Sequence, residues 1–312
     1  MDYSSAPLAL TSTETASLLD VHPSTVKRWC NDGDLASEVT PGGHRRIRID
    51  RAVDFARGRG IDTVLSPFHP FEPHVWTALR AVEVDGSFDE LHVLALQWAR
   101  RGEFERLEQL LLALGRSDSV PYCTFCDSAI RGLMVAVGEE WRAGRMRVGD
   151  EHMVSQTITS ALLVLRREWL NARPASRRGR PVAVVGTLEG NHHELGALCI
   201  RLLLERLGWQ VFYPGADVPI EDFGVIQMSR EASLVCISLP PTGSLGDVDR
   251  SLGVLRRYYD RARPYSVVFG GPSLTLEGEI TGSPFEEILF MQQCTAMREA
   301  LERGLGSSGK RT

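Results

Sequence analysis

The sequence predicts a multi-domain α and α/β chain: an N-terminal winged helix-turn-helix, a central helical bundle, and a C-terminal Rossmann-like (flavodoxin-like) doubly wound parallel sheet. Three observations predict it. Two short helical stretches joined by a tight turn precede a glycine turn and alternating Arg and Ile. From Val75 to about Leu170 leucines recur at spacings of three and four, and from Val182 onward short apolar runs alternate with helical stretches. A chain of 312 residues has room for about two domains, or three small ones. No apolar run reaches the roughly 18 residues of a membrane helix, and Met1 to Leu10 lacks the pattern of a secretory signal, so a cytoplasmic location with no membrane partner is expected. Cys30, Cys123, Cys126, Cys199, Cys236 and Cys294 lack the density of a disulfide scaffold, and reduced thiols are expected. Cys123-x-x-Cys126 has ligand spacing but no second pair follows it, which favours two small residues at a helix start. The net charge of -5 excludes a uniformly basic coat, so any DNA contact must be local.

In chain order, Thr11-Ser12-Thr13-Glu14 is a capping box that opens a helix from Ser12 to about Leu19. Pro23 suits the first turn of a second helix, in which Val26, Trp29 and Cys30 share one face and Ser24, Thr25, Lys27 and Arg28 point outward. Thr40-Pro41-Gly42-Gly43-His44-Arg45-Arg46-Ile47-Arg48-Ile49 then reads as a β-hairpin wing with its cations on one side. Ser24 and Thr25 would set register on phosphates and Arg28 could reach a base edge; Lys27, Gly43, His44, Arg45, Arg46 and Arg48 complete the candidate DNA surface. The bland alternative is a solvated basic loop. Over residues 8–58 the Pro-Ser-Thr-Val-Lys-Arg-Trp helix and the Pro-Gly-Gly-His-Arg-Arg wing resemble MerR-type transcription regulators. That resemblance implies double-stranded operator DNA as partner and a homo-oligomer, dimer or tetramer, reading a repeated site.

Residues 59–74 read as a linker because Gly60, Pro67, Pro70 and Pro73 interrupt any helix, and such a linker would let the head move. Residues 75–170 read as a bundle of four or five helices, with breaks near Gly86, Gly102, Gly115 and Arg145–Arg147. Within it, Trp141 followed after nine residues by Glu151-His152 has a plain reading: a core Trp and a charged first helical turn. The motif also resembles the Trp-x9-Glu-His of light-sensing, adenosylcobalamin-dependent repressors of the CarH and LitR kind. There the bundle lies over the upper face of the corrin and these residues contact its upper ligand.

Residues 171–180, rich in Arg and with Pro174, read as a second linker before a sheet domain at 181–305. Strands are expected at Val182–Gly186, Gln210–Tyr213, Leu234–Ser238, Ser266–Phe269 and Ile288–Phe290. Helices are expected at Leu195–Leu207, Ile220–Glu231, Gly246–Asp260, near Gly278, and at Gln292–Leu305. After the first strand, Asn191-His192-His193-Glu194-Leu195-Gly196 sets an imidazole at the carboxyl edge of the sheet, where open α/β sheets hold ligands. Ser238 and Gly270-Gly271 close later strands with small residues that leave a slot. No Gly-x-Gly-x-x-Gly follows the first strand, and no acidic pair ends it, which disfavours dinucleotide-binding and receiver readings.

The series Asn-x-His-x-x-Gly, Ser238, Gly270-Gly271 resembles cobalamin-binding domains, and Tyr213 to Pro219 resembles the loop after their second strand. Pro240 stands where that family has a Leu, and Asn191 where it has a carboxylate; an amide oxygen can still accept the proton of the other ring nitrogen. The resemblance implies cobalamin as cofactor, adenosylcobalamin or methylcobalamin, with His193 the lower axial ligand of cobalt. Trp141, Glu151, His152, Asn191, Gly196, Ser238, Gly270 and Gly271 are then its further contacts. The whole implies a non-enzymatic, cobalamin-dependent transcription regulator, a repressor and photoreceptor whose oligomerisation and operator binding follow the chromophore. Arg142 stands where the photoreceptors have a His that captures cobalt after photolysis, and arginine cannot ligate. A corrinoid carrier of a methyltransferase system, or a light-independent cobalamin sensor or regulator with a decayed pocket, remain the alternatives.

Overall fold

The fold comes from a computed structural model and describes residues 8–172, 179–271 and 284–306. The chain divides into two compact units, residues 1–119 with 136–150, and residues 120–135 with 151–312.

In the first unit β1 (Ala9–Thr11) leads into α1 (Ser12–Leu18), opened by the expected capping box. The Thr11 hydroxyl accepts the Glu14 N–H at 3.1 Å, and the Glu14 carboxylate accepts the Thr11 N–H at 2.8 Å. α2 (Pro23–Asn31) buries Val26 and leaves Lys27 and Arg28 exposed. β2 (Glu38–Val39) and β3 (Arg45–Arg48) form the wing, and β1 pairs on the other side of β3, giving the order β1-β3-β2. Alternation along β3 puts Ile47 in the core and Arg46 and Arg48 in solvent. α3 (Ile49–Gly58) follows.

The stretch 59–74, expected to be a loose linker, is packed. Leu65 and Phe68 are fully buried, and Phe68 stacks on Trp98 with ring centroids 5.8 Å apart. Arg57 of α3 pairs at 3.2 Å with Glu72, the first residue of α4 (Glu72–Asp85). Glycines and prolines do prevent a long helix here, but the apolar side chains between them enter a core that composition alone does not reveal. α5 (Asp89–Arg101), which carries Trp98, and α6 (Phe104–Arg116) complete the run; Gly86 (φ 65°) and Gly102 (φ 73°) end α4 and α5 in the left-handed conformation.

In the second unit α7 (Tyr122–Thr124) passes through a π-helical turn (Phe125–Ile130) into α8 (Arg131–Arg142), and α9 (Val148–Asn171) follows. The boundary between the units crosses α8 and α9. The sheet domain then alternates β4 (Val182–Leu188), α10 (Leu195–Arg206), β5 (Gln210–Val218), α11 (Ile220–Arg230), β6 (Leu234–Ser238), α12 (Leu245–Leu255), β7 (Ser266–Gly270), β8 (Ile288–Phe290) and α13 (Cys294–Glu302). All strands are parallel in the order β5-β4-β6-β7-β8, the flavodoxin-like order, whose switch point lies between β4 and β6.

One expectation is corrected. Tyr213 to Val218 is the second half of β5 and not a loop. β5 stands at the edge of the sheet, where proline is tolerated, and two register shifts against β4 absorb the irregularity around Pro214. Arg173, Pro174, Arg177 and Arg178 of the second linker, and the helix expected near Gly278, lie outside the described residues. All six cysteines are free. Among the described residues no helix is long and apolar enough to cross a membrane.

The packed connector makes a prediction. Phe68→Ala should lower unfolding stability by about 3–5 kcal/mol in urea titrations and speed proteolytic cleavage within 59–74. A free linker would show neither effect.

Candidate functional site

The loop after β4 is stapled by side chains from three strands. Buried Thr187 donates to the Asn191 carbonyl and accepts the Asp217 N–H at 3.0 Å, while the Asp217 carboxylate accepts the Gly190 N–H at 2.8 Å. Asn191 is 1% exposed. Its Nδ2 donates to the Ser238 carbonyl at 3.1 Å, and its Oδ1 accepts the His193 backbone N–H at 3.0 Å. The two partners, an acceptor and a donor, fix which way the amide faces. Asn191 therefore bridges the ends of β4 and β6 across the switch point, and its oxygen accepts from the His193 backbone and not from the ring, the partner expected from the sequence.

His193 is exposed at this carboxyl edge, and its imidazole makes no protein hydrogen bond among the described residues. Next to it, Glu194 turns away to accept the Tyr213 hydroxyl at 3.1 Å. Burial, with the Glu194 carboxylate beside it, keeps that hydroxyl protonated well above its usual range. Gly196 lies in the first turn of α10 with open space where a Cβ would stand. Ser238 faces Gly270 in register, and the Leu239 N–H donates to the Gly270 carbonyl at 2.7 Å. Here the glycines have a reason beyond leaving a slot. A Cβ on Gly271 (φ 142°) would stand 2.8 Å from the Leu239 oxygen, and one on Gly270 3.1 Å from the Met291 oxygen. Side chains there would force the strand ends apart.

Trp141 is half exposed on the last turn of α8. Just before it, Glu140 is nearly buried and is gripped by Arg100 of α5 and by Arg145, whose Nε lies 3.0 Å and Nη2 2.7 Å from its carboxylate oxygens. Neither arginine nor this glutamate was singled out in the sequence, since Arg100 is 40 residues away. Arg142 is exposed. Glu151 and His152 pair with each other, Oε2 to Nδ1 at 2.8 Å, on α9. Trp141 falls in the first compact unit and the Glu151-His152 pair in the second.

On the helix-turn-helix, much of the basic footprint is neutralised internally. Arg48 is paired with Asp50, Arg57 with Asp54 and Glu72, and Arg59 with Asp34 while stacking on Trp29 and Phe55. Arg45 donates to the Asn31 side chain. Lys27, Arg28, Arg46 and Arg51 carry no ion pair among the described residues and are exposed. Ser24, also exposed, holds its hydroxyl 2.7 Å from Nδ1 of His22, the residue that caps α2; Thr25 is half-buried. Gly43 (φ 77°) and His44 form the exposed wing tip.

Comparison with known proteins defines the class. Residues 9–52 match a helix-turn-helix domain, residues 96–166 a B12 binding domain of one type, and residues 181–282 a B12 binding domain of another. The chain thus joins a DNA-binding type of domain to B12-binding domains. More particularly, it is similar to the HTH-type transcriptional repressor CarH of Myxococcus xanthus, 31% identical over 158 residues. That match covers 51% of this chain and 49% of CarH, so it spans about half of that relative. Dimethylamine corrinoid protein 3 of Methanosarcina acetivorans is 26% identical over 167 residues, 53% of this chain and 77% of that protein. The fold also matches the structure of the Methanosarcina barkeri monomethylamine corrinoid protein, with a TM-score of 0.53 and 18% identity over 67% of this chain and 96% of that one.

Two outcomes follow from the site geometry. Asn191→Asp removes the donor to Ser238 and sets a carboxylate against a carbonyl, so stability should fall by about 1–3 kcal/mol in urea unfolding. The Glu140 carboxyl is held down to about 2 by hydrogen bonds from Arg145 and then Arg100, against its ordinary 4.5. A lowered carboxyl pKa stabilises the fold above the unfolded value, and that contribution is lost as pH falls from 4.5 towards 2. Urea midpoints of Glu140→Gln measured across this window should therefore vary less with pH than those of the wild type.

Proposed function

We propose that the chain is a cobalamin-dependent, DNA-binding transcription regulator, a repressor and not an enzyme, with adenosylcobalamin as its chromophore. The observation that carries this reading is one chain joining a winged helix with free cations to an exposed imidazole at the switch point of a 2-1-3-4-5 sheet. The donor set fits the cofactor: an imidazole with no protein partner among the described residues can offer a ring nitrogen to cobalt. His193 would be the lower axial ligand. Gly196, Ser238, Gly270 and Gly271 would line the nucleotide tail, with Asn191 holding the loop. Trp141, Glu151 and His152 would contact the upper ligand. When bound, the corrin supplies a cobalt–carbon bond that light can break. Ser24, Thr25, Lys27, Arg28, Gly43, His44, Arg45, Arg46 and Arg48 would face operator DNA, presented by a dimer or tetramer.

Two observations keep second readings alive. Similarity to corrinoid proteins supports a methyl-transfer carrier, but such a carrier has no use for residues 9–52. Arg142 supports cobalamin sensing without light, because a guanidinium cannot trap cobalt once the upper ligand leaves.

The test is purification with adenosylcobalamin in darkness. The wild type should hold the chromophore through gel filtration and His193→Ala should lose it or change its visible spectrum. Illumination should alter the spectrum, the oligomer size and operator binding; unchanged values after light would leave a light-independent sensor. On DNA, Arg28→Ala should weaken operator binding by about 1–3 kcal/mol and relax the sequence preference at the base it reads.

A further inference from the structure

Helix α8 ends in a Schellman motif built around Trp141. Gly144 (φ 70°) is the left-handed residue, its N–H donates to the Trp141 carbonyl at 2.9 Å, and the Arg145 N–H donates to the Glu140 carbonyl at 2.9 Å. In most such caps an apolar contact joins the two residues that here are Glu140 and Arg145. In this chain an ion pair takes that place, with Arg145 reaching both carboxylate oxygens and Arg100 closing the other side. The Glu140 side chain is only 9% exposed, whereas the Arg145 and Arg100 side chains reach it from solvent at 59% and 46%. A nearly buried carboxylate with charge-assisted donors from two elements tolerates little rotation. Trp141 is the next residue, its carbonyl is tied into the same cap, and its ring is half in solvent.

We infer that Glu140, clamped by Arg100 and Arg145, is the positioning residue for Trp141, and that this clamp sets how strongly the protein distinguishes cobalamins by their upper ligand. The inference rests on the cobalamin reading above. The chemistry is a division of labour within one helical turn. The carboxylate fixes the backbone, and the aromatic ring, which needs no polar partner inside the protein, is left to meet an apolar or stacking group. Loss of the clamp frees the last turn of α8 and leaves the chemistry of the His193 side chain unchanged.

The test uses full-length protein, Glu140→Gln and Gly144→Ala, which disturb the side-chain and backbone halves of the same cap. Hydrogen exchange at the amides of Gly144 and Arg145 should speed by about tenfold or more in both variants, with circular dichroism unchanged. Affinity for adenosylcobalamin should fall about tenfold, while affinity for hydroxocobalamin, whose upper ligand is too small to meet the ring, should stay within about twofold. Equal weakening for both cobalamins, or no change for either, would overturn the positioning role. If the wild type binds neither cobalamin, the cobalamin reading fails and takes the selectivity claim with it. The orienting role is then decided by acrylamide quenching of the Trp141 emission, taken as the difference from Trp141→Phe. It should rise in Glu140→Gln, and unchanged quenching would refute it.

Discussion

A single buried amide decides the geometry of the carboxyl edge of the sheet. Where strand order reverses, between β4 and β6, the loops leave in opposite directions and nothing in the ladder holds them together. The Asn191 amide spans that divergence, donating to Ser238 and accepting from His193. A net gain of about 1 kcal/mol is ordinary for such a bond, but a buried amide left without partners would cost more, so loop and strand end stand or fall together. A carboxylate could accept from His193 but could not donate to a carbonyl. The amide is thus suited to holding the backbone in place, and its oxygen is engaged by the His193 backbone and not by the imidazole.

Much of this was legible in the sequence, for physical reasons that differ by region. Capping at Thr11 and Glu14, burial of Ile47 between Arg46 and Arg48, and the strands at Leu234–Ser238 and Ile288–Phe290 are local matters of periodicity and short-range hydrogen bonds. What stayed hidden depends on contacts between distant residues. Pro67, Pro70 and Gly60 spelled a linker, yet Leu65 is fully buried and Phe68 stacks on Trp98 some 30 residues on. Tyr213 to Pro219 resembled the loop after a second strand, yet the strand continues through Val218 at the edge of the sheet. At the carboxyl edge, His193 was a candidate from its spacing, and the structure leaves it exposed there. The partners of Asn191 were not, and neither was the Glu140 clamp, because no local pattern links Arg100 to residue 140.

The charge economy of the head bears on specificity. In a chain of net charge -5, a winged helix needs local cations, but several of its arginines serve the fold. Arg59, stacked on Trp29 and Phe55, and Arg57, paired with Glu72, brace α3 from opposite ends of the connector. What remains for phosphates and bases is concentrated on α2 and the wing: Lys27, Arg28, Arg46 and the nearby Arg51. Each free cation that neutralises a phosphate adds to the salt-dependent, sequence-independent part of binding, so the small number left limits that part.

The packed connector also constrains how any signal reaches DNA. α3, the connector, α5 and Trp141 belong to one compact unit, joined in turn by Arg57–Glu72, Phe68–Trp98 and Arg100–Glu140. A head on a loose tether can be switched only by releasing or capturing it. A head built into the same unit as Trp141 moves when that unit moves, and a ligand shifts its position only through contacts that differ between two states. The connector joins the winged helix to α4, α5 and Trp141 within that unit by packed side chains and ion pairs, where composition alone suggested a loose tether.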